Sequence, residues 1–245
     1  MSVTTPGDGG MADVATPQEA LAMGPEFVTT IGKVVASHVR NELAGASAFD
    51  EPAIALAPTP REKWLACRIA MEEYGHHLHF GRLAADLGLE PSGRVLSVFD
   101  YELHTWVEFV VLKAIVDLAE VIIMEDLSEC RYLPLRRLAQ RLLPEERFHV
   151  SFGQVRTKIL AADPATRPAV QEAATDLVRM TLPFFGRSTS LNNDAFLHWG
   201  IKHHTNDEAR SLFIDRSRHF VVDDLGLDLP DVGVRWDGAG TPQDG

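Results

Sequence analysis

The chain has 245 residues and a mass of 27.0 kDa, with 45% hydrophobic and 24% charged residues, a composition that supplies a globular core. Thirty-five acidic against 23 basic residues give a formal net charge of −12; such a surface repels nucleic-acid phosphates and anionic lipid, so neither is an expected partner. No uncharged apolar run approaches the roughly 20 residues that span a bilayer. Met1 to Met23 lacks a cationic stretch followed by an apolar one, so no secretory signal is read. Two cysteines, Cys67 and Cys130, are too few for a disulfide framework. They fit a reducing, cytoplasmic compartment and fall in helical patterns where a core role is expected.

In chain order, residues 1–15 are small, Gly/Thr/Ala-rich and aperiodic, and read as a disordered tail; residues 231–245 read the same way. Between them, 16–230 forms one helical domain. Thr16-Pro17-Gln18-Glu19 and Thr59-Pro60-Arg61-Glu62 carry a capping threonine, proline at the first helical position and glutamate at the third. Helices are predicted over about 26–45, 60–87, 101–130, 134–161, 167–185, 193–203 and 206–224, the last opened by the capping box Thr205-Asn206-Asp207-Glu208. Alternating strand patterns and 20–50 residue repeats are absent. Four long helices followed by shorter ones predict an all-α, four-helix bundle with additional C-terminal helices.

The stripes that should face the core are not wholly apolar. The first long helix presents Ile31, Val34, Val35, His38, Val39 and Glu42. The second presents Ile69, Glu73, His76, Phe80, Leu83 and Leu87. The third presents Trp106, Val110, Lys113, Asp117, Glu120, Val121 and Met124, and the fourth Leu135, Leu138, Leu142, Glu146, His149 and Gly153. Burying one unpaired carboxylate costs several kcal/mol, so four need compensating cations. Two divalent ions would balance Glu42, Glu73, Asp117 and Glu146, with His76 and His149 adding one nitrogen each. One carboxylate from each of two helices and Glu-x-x-His from each of the other two is the ligand set of a carboxylate-bridged dinuclear site. One Glu-x-x-His alone would read as a solvated polar pair; the two here both fall mid-helix on apolar faces.

Helical rise supports the pairing. Asp117 lies 13 residues before the predicted end of its helix and Glu146 about 13 after the next turn, which sets both about 20 Å from that turn. Glu42 lies near the end of its predicted helix while Glu73 is 13 residues into the next. The link 46–59 must therefore climb back along the bundle, which its extended reach of ~45–50 Å allows.

NELAG around Glu42, MEEYGHH around Glu73 and His76, IVDLAE around Asp117 and PEERFH around Glu146 and His149 resemble the catalytic-subunit family of the bacterial phenylacetyl-CoA epoxidases, within the ferritin-like diiron oxygenases. The resemblance spans roughly residues 30–230 and extends to WGIKHHTNDEARSLFID and LGLDLPD, segments with no metal logic. It implies a ferritin-like fold, a pair of iron ions held by Glu42, Glu73, His76, Asp117, Glu146 and His149, and O2 as co-substrate for oxygen insertion into an aromatic acyl-CoA thioester. It also implies two partners, a separate electron-donating reductase and a related helical subunit. Three features depart from the family: a C-terminal extension is missing from the sequence, Pro144 falls two residues before Glu146 where it should kink the helix, and Glu120 stands where the family has a small residue.

Other residues keep two readings. Glu120 is a catalytic candidate, as a seventh ligand or proton relay, or else a rim carboxylate; His38 is a partner of Glu42 or a hydrogen-bonded core histidine. His77 is rotated off the stripe and reads as a packing or surface residue; Glu72 and Glu145 are similarly rotated and read as solvated. Lys202, His203, His204 and Arg187 would bind the phosphates of a CoA-like substrate or end solvated; Phe184 and Phe185 read as core. Carboxylates and imidazoles suit iron, manganese and zinc alike, so manganese remains in the candidate set. The expected function is a diiron monooxygenase acting on an aromatic or acyl thioester, free or carrier-bound, or on a related aromatic small molecule. The alternatives are another diiron oxidation such as N-oxygenation or desaturation, or a non-catalytic helical subunit. The oligomer is expected to be a homo-oligomer or a pairing with a related subunit.

Overall fold

Nine α-helices lie among the described residues of the computed structural model, which are 12–93 and 95–238. They are α1 (Pro17–Ala22), α2 (Pro25–Gly45), α3 (Glu51–Leu56), α4 (Pro60–Asp86), α5 (Trp106–Leu127), α6 (Leu133–Ala162), α7 (Arg167–Thr181), α8 (Asn192–His198) and α9 (Asn206–Arg218). Thr16, Thr59, Thr105 and Thr205 each accept the N–H three residues on and so fix the starts of α1, α4, α5 and α9. The reciprocal box of Thr105 and Glu108 moves the start of the third long helix from the predicted 101 to 106. Among the described residues there is no strand, only an isolated bridge between Val14 and Tyr132.

The chain is an all-α, ferritin-like bundle. α2 and α4 run antiparallel, as shown by His77 Nδ1 against the Val39 carbonyl and Tyr74 against Ser47 and Glu51. α5 and α6 do the same, with Arg147 on Glu125 and Gln140 donating to the Ser128 carbonyl. α7 and α9 cover the far side of α5. As a result α5 is buried nearly all round, and its apolar composition on every face suits that position. No helix among the described residues is long and apolar enough to cross a membrane.

The 46–59 link differs from its predicted form. The backbone stays helical through Gly45, Ala46, Asp50 and Glu51, with a π turn over Ala46–Asp50 leading into α3, and becomes extended only at Ala57. Pro52 cannot donate to the ladder, and the wider turn precedes it. Glu42 therefore lies 14 residues before the true end of its helix at Leu56, matching the 13 that separate Glu73 from Pro60. The same continuation buries Asp50. Pro144, predicted to kink its helix, leaves α6 assigned as one helix over Leu133–Ala162.

The tails also differ in part from the sequence reading. Residues 1–11 and 239–245 lie outside the described residues. Val14, however, is buried and exchanges backbone hydrogen bonds with the 131–133 segment. Residues 231–238 have no helix, yet Trp236 pairs with Ser188 and Asp237 accepts from Thr189. Cys130 is buried, with its thiol pushed up to about 12 by desolvation. Cys67, expected in the core, is exposed, because the buried face of α4 runs through Leu65, Ala66, Ile69, Ala70 and Glu73 instead.

Arg210 is the largest fully buried side chain. Its guanidinium donates to the carbonyls of Leu182, Gly186 and Val234 and to Asp207, tying the C-terminal segment to α9. Arg210→Met leaves those acceptors without donors. It is expected to lower unfolding free energy by about 3–5 kcal/mol, measured by urea titration, and to expose 231–238 to proteolysis.

Candidate metal centre

α2, α4, α5 and α6 bring all six predicted residues to one buried cluster. It consists of two overlapping groups whose ligand-type atoms lie within 4.8 Å of one another: Glu42, Glu73, His76 and Glu146, and Glu73, Asp117, Glu146 and His149. Glu73 and Glu146 belong to both. Glu146 sets Oε1 at 2.9 Å from His76 Nδ1 and Oε2 at 3.6 Å from His149 Nδ1. Glu73 sets Oε2 at 3.5 Å from His76 Nδ1 and Oε1 at 3.2 Å from His149 Nδ1. Each shared carboxylate thus gives one oxygen to each half. Glu42 completes the first half at 3.8 Å from His76 Nδ1, and Asp117 the second at 3.8 Å from His149 Nδ1.

The cluster fits cations. Both oxygens of Glu146, Oδ2 of Asp117 and Nδ1 of both histidines are buried with no hydrogen-bond partner. Glu146 Oε1 and His76 Nδ1 lie 2.9 Å apart without the geometry of a hydrogen bond. Such orphaned atoms are costly unless something positive sits among them. The one buried ammonium there, Lys113 Nζ, donates to Glu73 Oε1 at 2.8 Å and lies 2.7 Å from Asp117 Oδ2 and 3.1 Å from Asp50 Oδ1. Glu42, Asp50, Glu73, Asp117, Glu120 and Glu146 are six carboxylates against that single lysine, an excess of five negative charges if all ionise. Two divalent ions would offset four of them.

The titration of the cluster without metal reflects this crowding. Burial works against charging His76 and His149, but Glu146 dominates at His76, and Glu146, Glu72 and Glu73 at His149, so both are raised well above an ordinary imidazole. Burial would raise Glu146; the two histidines hold it down at about 2. Burial pushes Asp50 up to about 6 despite Lys113. Burial and the neighbouring Glu42 raise Glu120 well above the usual carboxylate range. Metals would compete with the imidazole protons for Nδ1.

Glu120 stands at the edge of the cluster, 3.9 Å from His38 Nδ1. His38 lies 3.3 Å from Glu42 Oε1 and stacks on Phe80. A small cavity of about 30 Å³ runs along Glu42, Glu73 and Asp117. A larger one of about 230 Å³ lies between α2, α5 and the 183–206 segment. Asn41, Glu120 and Phe184 line both. Phe184 and Phe185, predicted as core, do pack in it and also line the larger cavity, as does Lys202. His203 and His204 are instead tied to the end of α5 through Asp126 and the Glu129 carbonyl, and Arg187 does not line either cavity.

Residues 15–241 match the family model described as phenylacetic acid catabolic protein. The chain belongs to that family. A relative from Escherichia coli (strain K12), described as one of the subunits of 1,2-phenylacetyl-CoA epoxidase, is 28% identical over 228 residues, covering 88% of this chain and 73% of its own length.

In this member of the phenylacetic acid catabolic family, two carboxylates behave differently from their sequence reading. Glu72 and Glu145, predicted to be solvated, each meet the histidine of the opposite helix: His149 Nε2 lies 2.9 Å from Glu72, and His76 Nε2 lies 2.8 Å from Glu145. A proton on Nε2 leaves Nδ1 free to face the cluster, so these bonds select tautomer and ring orientation. Partial burial would raise Glu72, but His149 and Arg68 hold it below its ordinary value. The signal was present in the repeated Glu-Glu-x-x-His of both helices. Glu72→Gln and Glu145→Gln are each expected to weaken affinity for a divalent metal about 10–100-fold while leaving the fold intact, measured by competition against a chelator.

Proposed function

We propose that this protein is an O2-activating diiron monooxygenase that oxidises an aromatic or acyl thioester or a related aromatic small molecule, with electrons from a separate reductase. The single observation that supports this most is the sharing of Glu73 and Glu146 between two otherwise complete carboxylate–histidine groups. Membership of the phenylacetic acid catabolic family, together with a relative described as part of an epoxidase, agrees with it. Glu42 and His76 would hold one ion and Asp117 and His149 the other, with Glu73 and Glu146 in reach of both. Manganese would meet the same donor set.

A bound iron pair supplies the electrons and the Lewis acidity for reductive activation of O2. The protein's share is positional. Glu72 and Glu145 orient the two imidazoles. Lys113 holds Glu73, Asp117 and Asp50 apart from solvent, and its charge limits the repulsion among them. Glu120, whose pKa burial and the neighbouring Glu42 raise, has Oε2 without a hydrogen-bond partner and lines both cavities, which places it to deliver a proton to a group arriving from the larger one. Phe184 and the apolar neighbours of the small cavity keep water from the cluster.

The test is O2 uptake by iron-loaded protein with a chemical or flavin-based reductant, with and without phenylacetyl-CoA and simpler aromatic acids. The reading expects uptake that rises with substrate and yields a product carrying one atom of labelled oxygen. Uptake with no organic product would instead mark an iron-oxidising storage protein, and no uptake a non-catalytic subunit.

A further inference from the structure

The chain's charge is unevenly placed. α4 and α6 together carry ten Lys and Arg against six Asp and Glu, and two of those six are Glu73 and Glu146 of the cluster. The rest of the chain carries 13 against 29. An otherwise acidic protein therefore has one basic side, where these two helices meet through Arg68 over the Phe148 ring and Arg156 on Glu62. Arg61 borders the groove between them. Arg82 and Arg141 flank His79, and burial and both their charges lower its pKa. Arg61, Arg82 and Arg141 are exposed and, among the described residues, form no hydrogen bond or ion pair. Such a patch steers an acidic partner that the remaining surface repels.

The same side has apolar contact to offer. Trp64, Met71 and Leu78 are 64%, 69% and 57% exposed and recur every seven residues on α4, which puts them in one row. Tryptophan, methionine and arginine are the residue types that protein interfaces enrich. This side also leads to the cluster. Glu145, whose side chain is 39% exposed, lies 2.8 Å from His76 Nε2, and Glu72, 14% exposed, lies 2.9 Å from His149 Nε2. One carboxylate and one imidazole thus link the surface to each half of the cluster. Neither α4 nor α6 lines the larger cavity, so this side stays open when that cavity is filled. A second copy of the chain suits it less well. Turned antiparallel about Met71, the row would bring Arg61 of each copy to Arg82 of the other.

We infer that the α4–α6 side docks an acidic one-electron carrier protein, with Arg61, Arg82 and Arg141 meeting its carboxylates and Trp64, Met71 and Leu78 its apolar surface. The inference rests on the oxygenase reading for the use of the electrons: each docking oxidises the carrier by one electron, and two dockings supply one turnover. Binding itself needs no iron. The metal-free, full-length protein is titrated calorimetrically with a plant-type [2Fe–2S] ferredoxin, an acidic carrier, at low and at raised salt. Binding is expected at low salt and should weaken as salt rises, since surface attraction is screened beyond about 10 Å at 0.1 M. Arg82→Glu combined with Arg141→Glu is expected to weaken it at least about fivefold, and Arg179→Glu, an equal charge change at an exposed residue of α7, less than about twofold. Arg82→Gln with Arg141→Gln, expected to lose less, covers a reversal variant that fails to fold. No binding at low salt, binding indifferent to both paired variants, or an equal loss from Arg179→Glu would each overturn the inference. So would a wild-type dimer, seen by sedimentation, that the paired substitutions dissociate; the side would then be an interface between copies. O2 uptake by iron-loaded protein with dithionite separates the two ideas. Ferredoxin binding without uptake keeps the docking side and removes the oxygenase, whereas uptake without ferredoxin binding does the reverse.

Discussion

In the proposed diiron centre, Glu73→Ala is expected to abolish loading of both ions, while His76→Ala or Glu42→Ala should retain one. The asymmetry follows from geometry rather than from ligand type. Glu73 sends one oxygen toward His76 and the other toward His149, so its loss removes a donor from each half at once. It also takes from Lys113 the partner it holds at 2.8 Å, leaving its charge to Asp117 and Asp50, which it already pairs with. Of the two groups that share Glu73 and Glu146, His76 and Glu42 belong to only one, Glu42 also standing beside His38 and Glu120. Iron per chain after anaerobic reconstitution should fall from about two to near zero for Glu73→Ala, and to about one for His76→Ala. Equal losses in the two variants would mean that the halves do not share Glu73. Glu146→Ala should behave as Glu73→Ala, since its oxygens are divided in the same way.

Gly153→Ala is expected to be the most destabilising single-methyl change in the bundle. A Cβ at Gly153 would lie 2.3 Å from the Ala114 backbone nitrogen, 2.6 Å from the Lys113 carbonyl carbon and 2.7 Å from the Val110 oxygen. All three are backbone atoms of α5, so no rotamer change relieves the contact and the helices must separate. Overpacking costs about 1–3 kcal/mol where side chains can give; against a rigid helix backbone the upper end or beyond is expected. Gly153 lies one turn from His149, and the Lys113 backbone is what would be pushed, so iron loading should fall as well. Gly81→Ala is the control: nothing lies within 4 Å of its added Cβ, and in a helix interior it should stabilise by about 0.5–1 kcal/mol. Urea midpoints of the metal-free proteins give both values. A Gly153→Ala protein as stable as wild type would mean that α5 and α6 are not in backbone contact at this level.

The fold was legible wherever the sequence carried caps and periodic stripes. Pro60 and the stripe from Leu135 to Gly153 place α4 and α6 within a residue, and Thr205 places the start of α9, whose last predicted turns, His219–Asp224, are π-helical instead. It was less legible where helical backbone persists through residues that usually end it. The first long helix was expected to end at about 45 and 46–59 to be a link, yet the π turn carries the helix on to Leu56. That single misreading hid Asp50 and so the third acid around Lys113. Within the cluster, carboxylates on apolar faces stood out because burial makes them expensive. Glu72 and Glu145 did not, because a residue about 100° off the stripe looks solvated unless the facing helix is known to bring a histidine to it. Lys202 was noticed as a phosphate candidate, but sequence alone could not separate it from His203 and His204, which the end of α5 occupies instead.

Diffraction at the iron absorption edge from crystals of iron-loaded protein tests the central claim most directly. Two anomalous peaks are expected between Glu73 and Glu146, one beside Glu42 and His76 and the other beside Asp117 and His149. A cluster holding no anomalous density, its imidazoles bonded only to carboxylates, would contradict it.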